Sequence, residues 1–155
     1  MNRNRPVEVP PDLPDAALPD ADWADAFEMT AGRRFGGMRE LATATVGAMP
    51  RWARGLLWLR NVLVAPFGLK TNGHGDAPDP ERRVGIFPVV EEHPDRIVLG
   101  LDDRHLDFRI VVTQRAQRFR VTTLVHRHNL AGRAYIASIT PFHKVIVAAI
   151  MRRAA

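Results

Sequence analysis

Histidine and aspartate residues recur at short spacing in the second half of the chain. His105 and Asp107 are two residues apart, and so are His126 and His128. Residues at positions i and i+2 of a β-strand point to the same face, so each pair is expected to share one face. Imidazole and carboxylate groups held together in this way suit either a divalent metal ion or proton transfer.

The spacing of the strands brings these two pairs together. If residues 114–117 form a turn, His105 lies opposite His126 and Asp107 is one diagonal step away. Three uses of this surface are open: a His/His/Asp metal site, a His/Asp acid–base pair, or an exposed polar face in which Asp107 pairs with a neighbouring arginine. We predict the exposed polar face, with no bound metal or cofactor.

A further histidine, His143, follows Phe142 in an apolar C-terminal segment. A histidine in such a place is typically a hydrogen-bonded core or boundary residue. As a catalytic group it would act with His105 and Asp107 at the mouth of a pocket, and these three are the candidate catalytic residues. The chain has no cysteine, which excludes thiolate nucleophiles, thiolate metal sites and disulfide bonds.

Alternating apolar residues predict the sheet that must position these groups. They fall on one face of successive strands: Ile86, Val90, Ile97, Leu99, Leu101, Leu106, Phe108, Ile110, Val112, Phe119, Val121 and Val125. Turns at 92–95, 103–104 and 114–117 define three hairpins. The facing pairs are then Val90 with Ile97, Leu101 with Leu106, and Val112 with Phe119. Every pair is apolar, so the hairpins agree on which face is buried.

The remaining elements follow from helical spacing and capping residues. A short strand is predicted around Trp23 to Met29, although Asp25 falls on its apolar side. One helix follows Gly37, and a second opens at Pro50. A C-terminal helix opens at Pro141, and a helical turn over 134–139 is expected to continue into it through a kink. We therefore predict an α+β fold of about five antiparallel strands packed on the C-terminal helix, in the order β-α-α-β-β-β-β-α.

Composition sets the domain organisation and the expected surroundings. With 155 residues and 46% hydrophobic content, the chain has enough apolar sequence for one core. Residues 1–21 are Pro-rich and are predicted to be a flexible arm before a single domain over 22–155. The net charge of +5 comes from dispersed arginines, which favours a solvated surface over a nucleic-acid site.

The sequences near the two ends of the chain indicate whether the protein is secreted or inserted in a membrane. The N-terminus lacks the apolar stretch of a secretory signal, which predicts a cytoplasmic protein. The apolar segment 130–151 contains Arg133 and Lys144, and such charges disfavour a membrane-spanning helix.

Several short strings resemble an uncharacterised bacterial family, domain of unknown function 2867. They are GIFPVV from Gly85, GLDDRHLDFR from Gly100, His128-Asn129 with Gly132, Arg133 and Tyr135, and Pro141-Phe142-His143. The resemblance extends from about Ala21 to the C-terminus. The element order of that family is similar to the START-like helix-grip fold, which implies a cavity for an apolar ligand and, in some branches, cyclase or aromatase chemistry. This chain departs from the START-like fold in having only four clear strands after the helices. Some relatives of the family also carry a short-chain-dehydrogenase-like part.

These observations predict a small domain that binds an apolar molecule or lipid between the sheet and the C-terminal helix. The expected lining residues are Phe108, Ile110, Phe119, Val121, Tyr135, Phe142 and Ile146. Two alternatives stay open: an enzyme of cyclase or isomerase type that uses His105 and Asp107, and a partner module of a separate oxidoreductase.

Overall fold

A computed structural model describes residues 5–51, 79–102 and 105–155. The fold is α+β, with one seven-stranded sheet and a long C-terminal helix. The strands are β1 (Val7–Val9), β2 (Trp23–Thr30), β3 (Arg83–Val84), β4 (Phe87–His93), β5 (Arg96–Asp102), β6 (Leu106–Arg115) and β7 (Arg118–Arg127). The described helices are α1 (Met38–Ala44) and α2 (Leu130–Met151), with 3-10 turns at Val46–Ala48, Pro80–Arg82 and Arg152–Ala154. The predicted fold class is therefore confirmed, with more strands than expected.

The strand order is β1-β2-β7-β6-β5-β4-β3, and all neighbouring strands are antiparallel. Each predicted hairpin is present, but its register differs from the prediction by two residues. The observed pairs are Glu92 with Ile97, Leu101 with Phe108, and Val112 with Val121. The β6–β7 turn contains only Ala116 and Gln117, because Arg115 already pairs with Arg118.

A shift by two residues leaves side chains on their predicted face, because the side-chain period of a strand is two. The exceptions are Ile86, which lies in the turn between β3 and β4, and Val90; they are 37% and 47% exposed. A β-bulge between Val89 and Glu91 changes the alternation at this point. Val89 packs against the core in place of Val90.

The main core lies on one face of the sheet. Several inward residues of β5, β6 and β7 are fully buried there, including Leu99, Val112 and Phe119. Helix α1 lies over β5 and β6, and α2 lies over β7 and β2. The C-terminal helix therefore covers only part of the face that it was predicted to cover.

Helix α2 begins eleven residues before Pro141, which lies inside the helix. The predicted start at Pro141 was wrong, because Asn129 provides the N-terminal cap: its side-chain oxygen accepts from the backbone N–H of Gly132 at 3.0 Å. Helix α1 ends at Ala44, and the hydroxyl of the next residue, Thr45, donates to the carbonyl of Leu41 at 2.8 Å.

The N-terminal segment lies against the second face of the sheet. Strand β1 pairs with β2, and buried Leu18 packs on Val98, Val111 and Leu124. Residues 7–9 and Leu18 therefore differ from the flexible arm that composition predicts, since a sheet edge supplies hydrogen-bond partners that composition does not reveal. The domain boundary after residue 21 stays a prediction.

By length and apolar composition alone, α2 with its 3-10 extension could cross a membrane. The core helix of a soluble protein meets the same criterion, and α2 buries Ile136, Val147, Ile150 and Met151 against the sheet. This packing is compatible with a soluble protein.

Some predictions concern residues that lie outside the described ranges. They are most of the second helix, predicted to open at Pro50, and the turn at 103–104.

Candidate functional site

The candidate catalytic residues are divided between the two faces of the sheet. Alternation along β6 points Phe108 to the main core and Asp107 to the opposite face. His143 comes from α2, on the main-core side. The hypothesis that His105, Asp107 and His143 act together is therefore not supported, because Asp107 and His143 lie on opposite faces of the sheet.

His143 belongs to a buried polar cluster with Asp25 and Thr123. Asp25 and Thr123 pair directly across β2 and β7, and both are buried. The Nε2 atom of His143 lies 3.1 Å from Oδ2 and 3.3 Å from Oδ1 of Asp25, with hydrogen-bond geometry only to Oδ1. Nε2 is also 3.2 Å from Oγ1 of Thr123. The Trp23 ring and the imidazole pack in a T-shaped arrangement, with 5.7 Å between ring centroids.

This geometry differs from that of a nucleophilic triad. In such a triad the two imidazole nitrogens have separate partners, one the nucleophile and the other the carboxylate. Here Nε2 contacts both Asp25 and Thr123. The cluster therefore fixes α2 to the sheet and holds an ionisable group inside apolar surroundings.

The sequence contained one signal for this cluster. Asp25 interrupts the apolar side of the predicted strand, and a buried carboxylate requires a partner. Its pairing with Thr123 was not predicted, because no sequence pattern linked β2 to β7.

The predicted lining residues fall into three groups. Phe119 and Val121 are fully buried in the core. Phe142 is 56% exposed on the outer side of α2. The other four are half-buried at the main core: Phe108, Ile110, Tyr135 and Ile146.

Together with half-buried Ile139 of α2, these four form what we call the apolar strip: Phe108, Ile110, Tyr135, Ile139 and Ile146. Phe108 connects the two sides of the strip. It packs against the same buried cluster of Leu106, Val125 and Ile136 as the α2 residues Tyr135 and Ile139. It also makes an edge-to-face contact with Phe87, at 5.7 Å between ring centroids. The role of these residues in binding stays a prediction.

A separate cavity of about 20 Å³ lies beside the 3-10 turn after α1, lined by Val46, Gly47, Met49, Gly85 and Ile86. This volume suits about one water molecule. None of the predicted lining residues contributes to it.

The opposite face carries a second cluster, made of Asp107, His126 and His128. Asp107 pairs with His126 across β6 and β7. The Nε2 atom of His128 is 3.0 Å from Oδ2 of Asp107, and the rings of His126 and His128 lie 4.8 Å apart. We call this group the histidine cluster.

His105 was predicted to lie opposite His126, which is wrong because of the two-residue register shift. Its carbonyl instead accepts from the backbone N–H of His128 at 2.9 Å. The Nδ1 atom of His105 lies 3.0 Å from Nδ2 of Asn129, the residue that caps α2. His105 therefore connects the start of β6 to the start of α2.

Asp22 lies beside the histidine cluster and is held by Arg127. Its Oδ1 atom accepts from the backbone N–H and from Nε of Arg127, each at 3.1 Å. Burial raises the pKa of Asp22, but the hydrogen bonds from Arg127 and the charges of Arg127 and His126 outweigh it. The pKa is therefore lowered from its ordinary value of 3.8.

Asp22→Asn is expected to weaken the dependence of stability on acid pH. Because the pKa of Asp22 is lower in the folded state, its carboxylate stabilises the protein above pH 3.8. This contribution is lost as the pH falls through the folded-state pKa. We expect the variant to lose about 1 kcal/mol at neutral pH, and the difference from wild type to shrink below pH 3.8. Urea unfolding across pH measures this, with the exposed Asp20→Asn as control; a difference that grows in acid would contradict the prediction.

A family model described as a protein of unknown function, DUF2867, matches residues 17–150. The chain belongs to the DUF2867 family. The match includes the sheet from β2 to β7 and nearly all of α2, so both side-chain clusters of this DUF2867 protein lie within the family region. The family description assigns no activity or functional residue. No curated protein and no solved structure is significantly similar to the chain.

Proposed function

We propose that this DUF2867 protein binds a small apolar molecule or a lipid along the apolar strip. The observation that carries the proposal is the partial exposure of Phe108 and Ile110. Both lie in β6, the middle strand of the sheet, where inward residues of a close-packed core are normally buried. Val112 of the same strand is fully buried. Phe108 and Ile110 therefore mark a part of the face that α1 and α2 leave uncovered.

The ligand in this proposal has a polar group at one end. Ile139 and Ile146 of the strip precede and follow His143 by about one helical turn each, so the imidazole lies along the same side of α2. About one fifth of the His143 side chain is exposed, while Asp25 behind it is buried. A polar group on the ligand would meet this histidine, and its apolar part would contact the strip.

The order of the elements supports the START-like resemblance as part of this proposal. The first long strand, β2, pairs with the last strand, β7, and a long C-terminal helix lies on one face. A ligand between sheet and helix is what that resemblance implies. In this proposal the protein acts in the cytoplasm, engages no nucleic acid, and needs no cofactor to bind its ligand.

The cyclase- or isomerase-type alternative requires His105 and Asp107 to face the bound molecule. Asp107 lies on the opposite face from the apolar strip, so the geometry favours binding over that chemistry. A separate oxidoreductase partner stays a prediction, which co-elution with a candidate dehydrogenase in gel filtration would test.

Ile146→Ala is expected to weaken binding of a fluorescent fatty acid by about five- to thirtyfold. The change removes apolar contact worth about 1–2 kcal/mol if the strip is the binding surface. Val145→Ala is a matched control, because Val145 is adjacent in sequence but 59% exposed on the outer side of α2. Fluorescence titration of both variants measures the difference.

Two results would count against this function. One is an equal effect of the two substitutions, which would place binding elsewhere. The other is a native preparation without co-purified lipid whose melting temperature is unmoved by fatty acids, polyketides and isoprenoids.

A further inference from the structure

We propose that the histidine cluster of Asp107, His126 and His128 is a binding site for a divalent transition-metal ion, with zinc as the preferred occupant. One ligand atom from each residue lies within 4.8 Å of the others. Two imidazoles and one carboxylate form a donor set suited to zinc and to related first-row ions. This site lies on the sheet face opposite to the apolar strip and does not depend on the proposed ligand.

Strands β6 and β7 carry two of the three side chains, and His128 is the first residue after the end of β7. Asp107 and His126 are direct partners across β6 and β7. His128 follows His126 by two residues and reaches the same carboxylate. Both strands are ten residues long and lie inside the sheet. Asp107 therefore lies between paired strands on both sides, and the backbone of His128 is held by its N–H bond to the carbonyl of His105.

The distances are close to those that a bound ion requires. Ligand atoms about 2.0–2.2 Å from a tetrahedral zinc ion are about 3.3–3.5 Å from one another. In the histidine cluster, Nε2 of His128 and Oδ2 of Asp107 are already 3.0 Å apart. The largest separation is at most 4.8 Å. Side-chain rotations that move the donor atoms by about 1 Å would therefore allow all three to bind one ion.

The surrounding charges also favour a cation. Arg109, which follows Asp107 on the same face, donates to Oδ1 of Asp102 at 2.6 Å. Arg127 is paired with Asp22, and the carboxylate of Asp22 interacts electrostatically with His126. The positive charges next to the site are therefore compensated, and a second carboxylate lies nearby.

Metal binding would replace the direct contact between His128 and Asp107. Without an ion, Nε2 of the imidazole lies 3.0 Å from the carboxylate, close enough for an ion pair when the imidazole is protonated. An ion takes the nitrogen lone pair of each histidine and one carboxylate oxygen, and any imidazolium proton is released to solvent. Three protein ligands leave a coordination position for water or for another molecule.

The test is a Co²⁺ titration of the metal-free, tag-free full chain, followed by visible absorption, with Zn²⁺ displacement by calorimetry. We expect one saturable site per chain. Asp107→Asn, His126→Gln and His128→Gln should each weaken binding at least about tenfold, and the triple variant should abolish it. His93→Gln is the matched control, because the Nε2 atom of exposed His93 makes an ordinary contact with Glu91 at 3.5 Å.

Because the side chains of Asp107 and His128 are partly exposed, we expect the variants to fold, and far-UV circular dichroism and melting temperature would confirm this. Saturable binding that is retained in the folded triple variant would overturn the proposal. So would the absence of Co²⁺ and Zn²⁺ binding by the folded wild-type chain, which would leave His128 and Asp107 as a simple ion pair.

Discussion

His143→Leu is expected to lower the free energy of unfolding by about 3 kcal/mol. The substitution retains an apolar side chain beside Trp23 but leaves the carboxylate of Asp25 without its imidazole partner. Asp25 is only 5% exposed, and removing one partner of a buried pair typically costs about 3–5 kcal/mol. We expect the lower end, because about one fifth of the His143 side chain is exposed. Urea unfolding at neutral pH measures the change.

A double-mutant cycle separates the pair from simple loss of packing. Asp25→Val should cost less than His143→Leu, because an uncharged imidazole can still bond Thr123 at the 3.2 Å contact. The double variant Asp25→Val/His143→Leu should recover much of the loss, since two apolar residues leave no buried charge.

Lys144→Leu is the matched control for a surface pair. Lys144 is next to His143 in sequence and contacts Glu8 at 2.7 Å, with both side chains near half exposure. The loss of this contact should cost much less than the loss of His143, because solvent screens the charges of a surface pair. If His143→Leu is no more costly than Lys144→Leu, the Asp25–His143 contact does not hold α2 to the sheet.

Gly132→Ala is expected to destabilise the protein by about 2 kcal/mol, although alanine is the better helix former. In an isolated helix this change would gain about 1 kcal/mol. In the folded protein the new Cβ atom would lie 2.3 Å from the carbonyl oxygen of His105. That oxygen belongs to the backbone and accepts from His128, so the clash is relieved only by moving the start of α2 away from β6. Such forced packing costs more than the propensity gain.

Ala134→Gly, at an exposed position of the same helix, provides the comparison for the effect of helix propensity. It should cost about 1 kcal/mol. Because one substitution replaces glycine with alanine and the other does the reverse, helix propensity alone would change the free energy of unfolding in opposite directions. Thermal and urea unfolding of both variants measure them, and a gain in stability for Gly132→Ala would show that α2 does not approach β6 as closely as the structure indicates.

Much of the sheet could be predicted because its signal is local. Apolar residues alternate along each strand, and a strand with one buried face must show that alternation. The same pattern identified which residues of β5, β6 and β7 face the core. It did not determine which residues pair, since a shift by two residues preserves every face. The short turn at Ala116 and Gln117 decides the pairing of β6 with β7, and through it brings Asp107 opposite His126.

The candidate sites depended on this difference. The residue types in the histidine cluster were evident from their spacing, but the predicted pair of His105 and His126 was wrong by the same two-residue shift. Asp25 was visible as a carboxylate in an apolar stretch. Its partner His143 is 118 residues away, and only the docking of α2 brings the two side chains together.

Periodicity and residue type were thus enough to predict the strands, their buried face and the polar residues that require partners, because each of these is a property of neighbouring residues. The partners themselves, the pairing of β1 with β2, and the burial of Leu18 came only from the folded chain. These contacts join segments that are distant in sequence, and their geometry depends on turn lengths and helix docking. No pattern within a single segment contains that information.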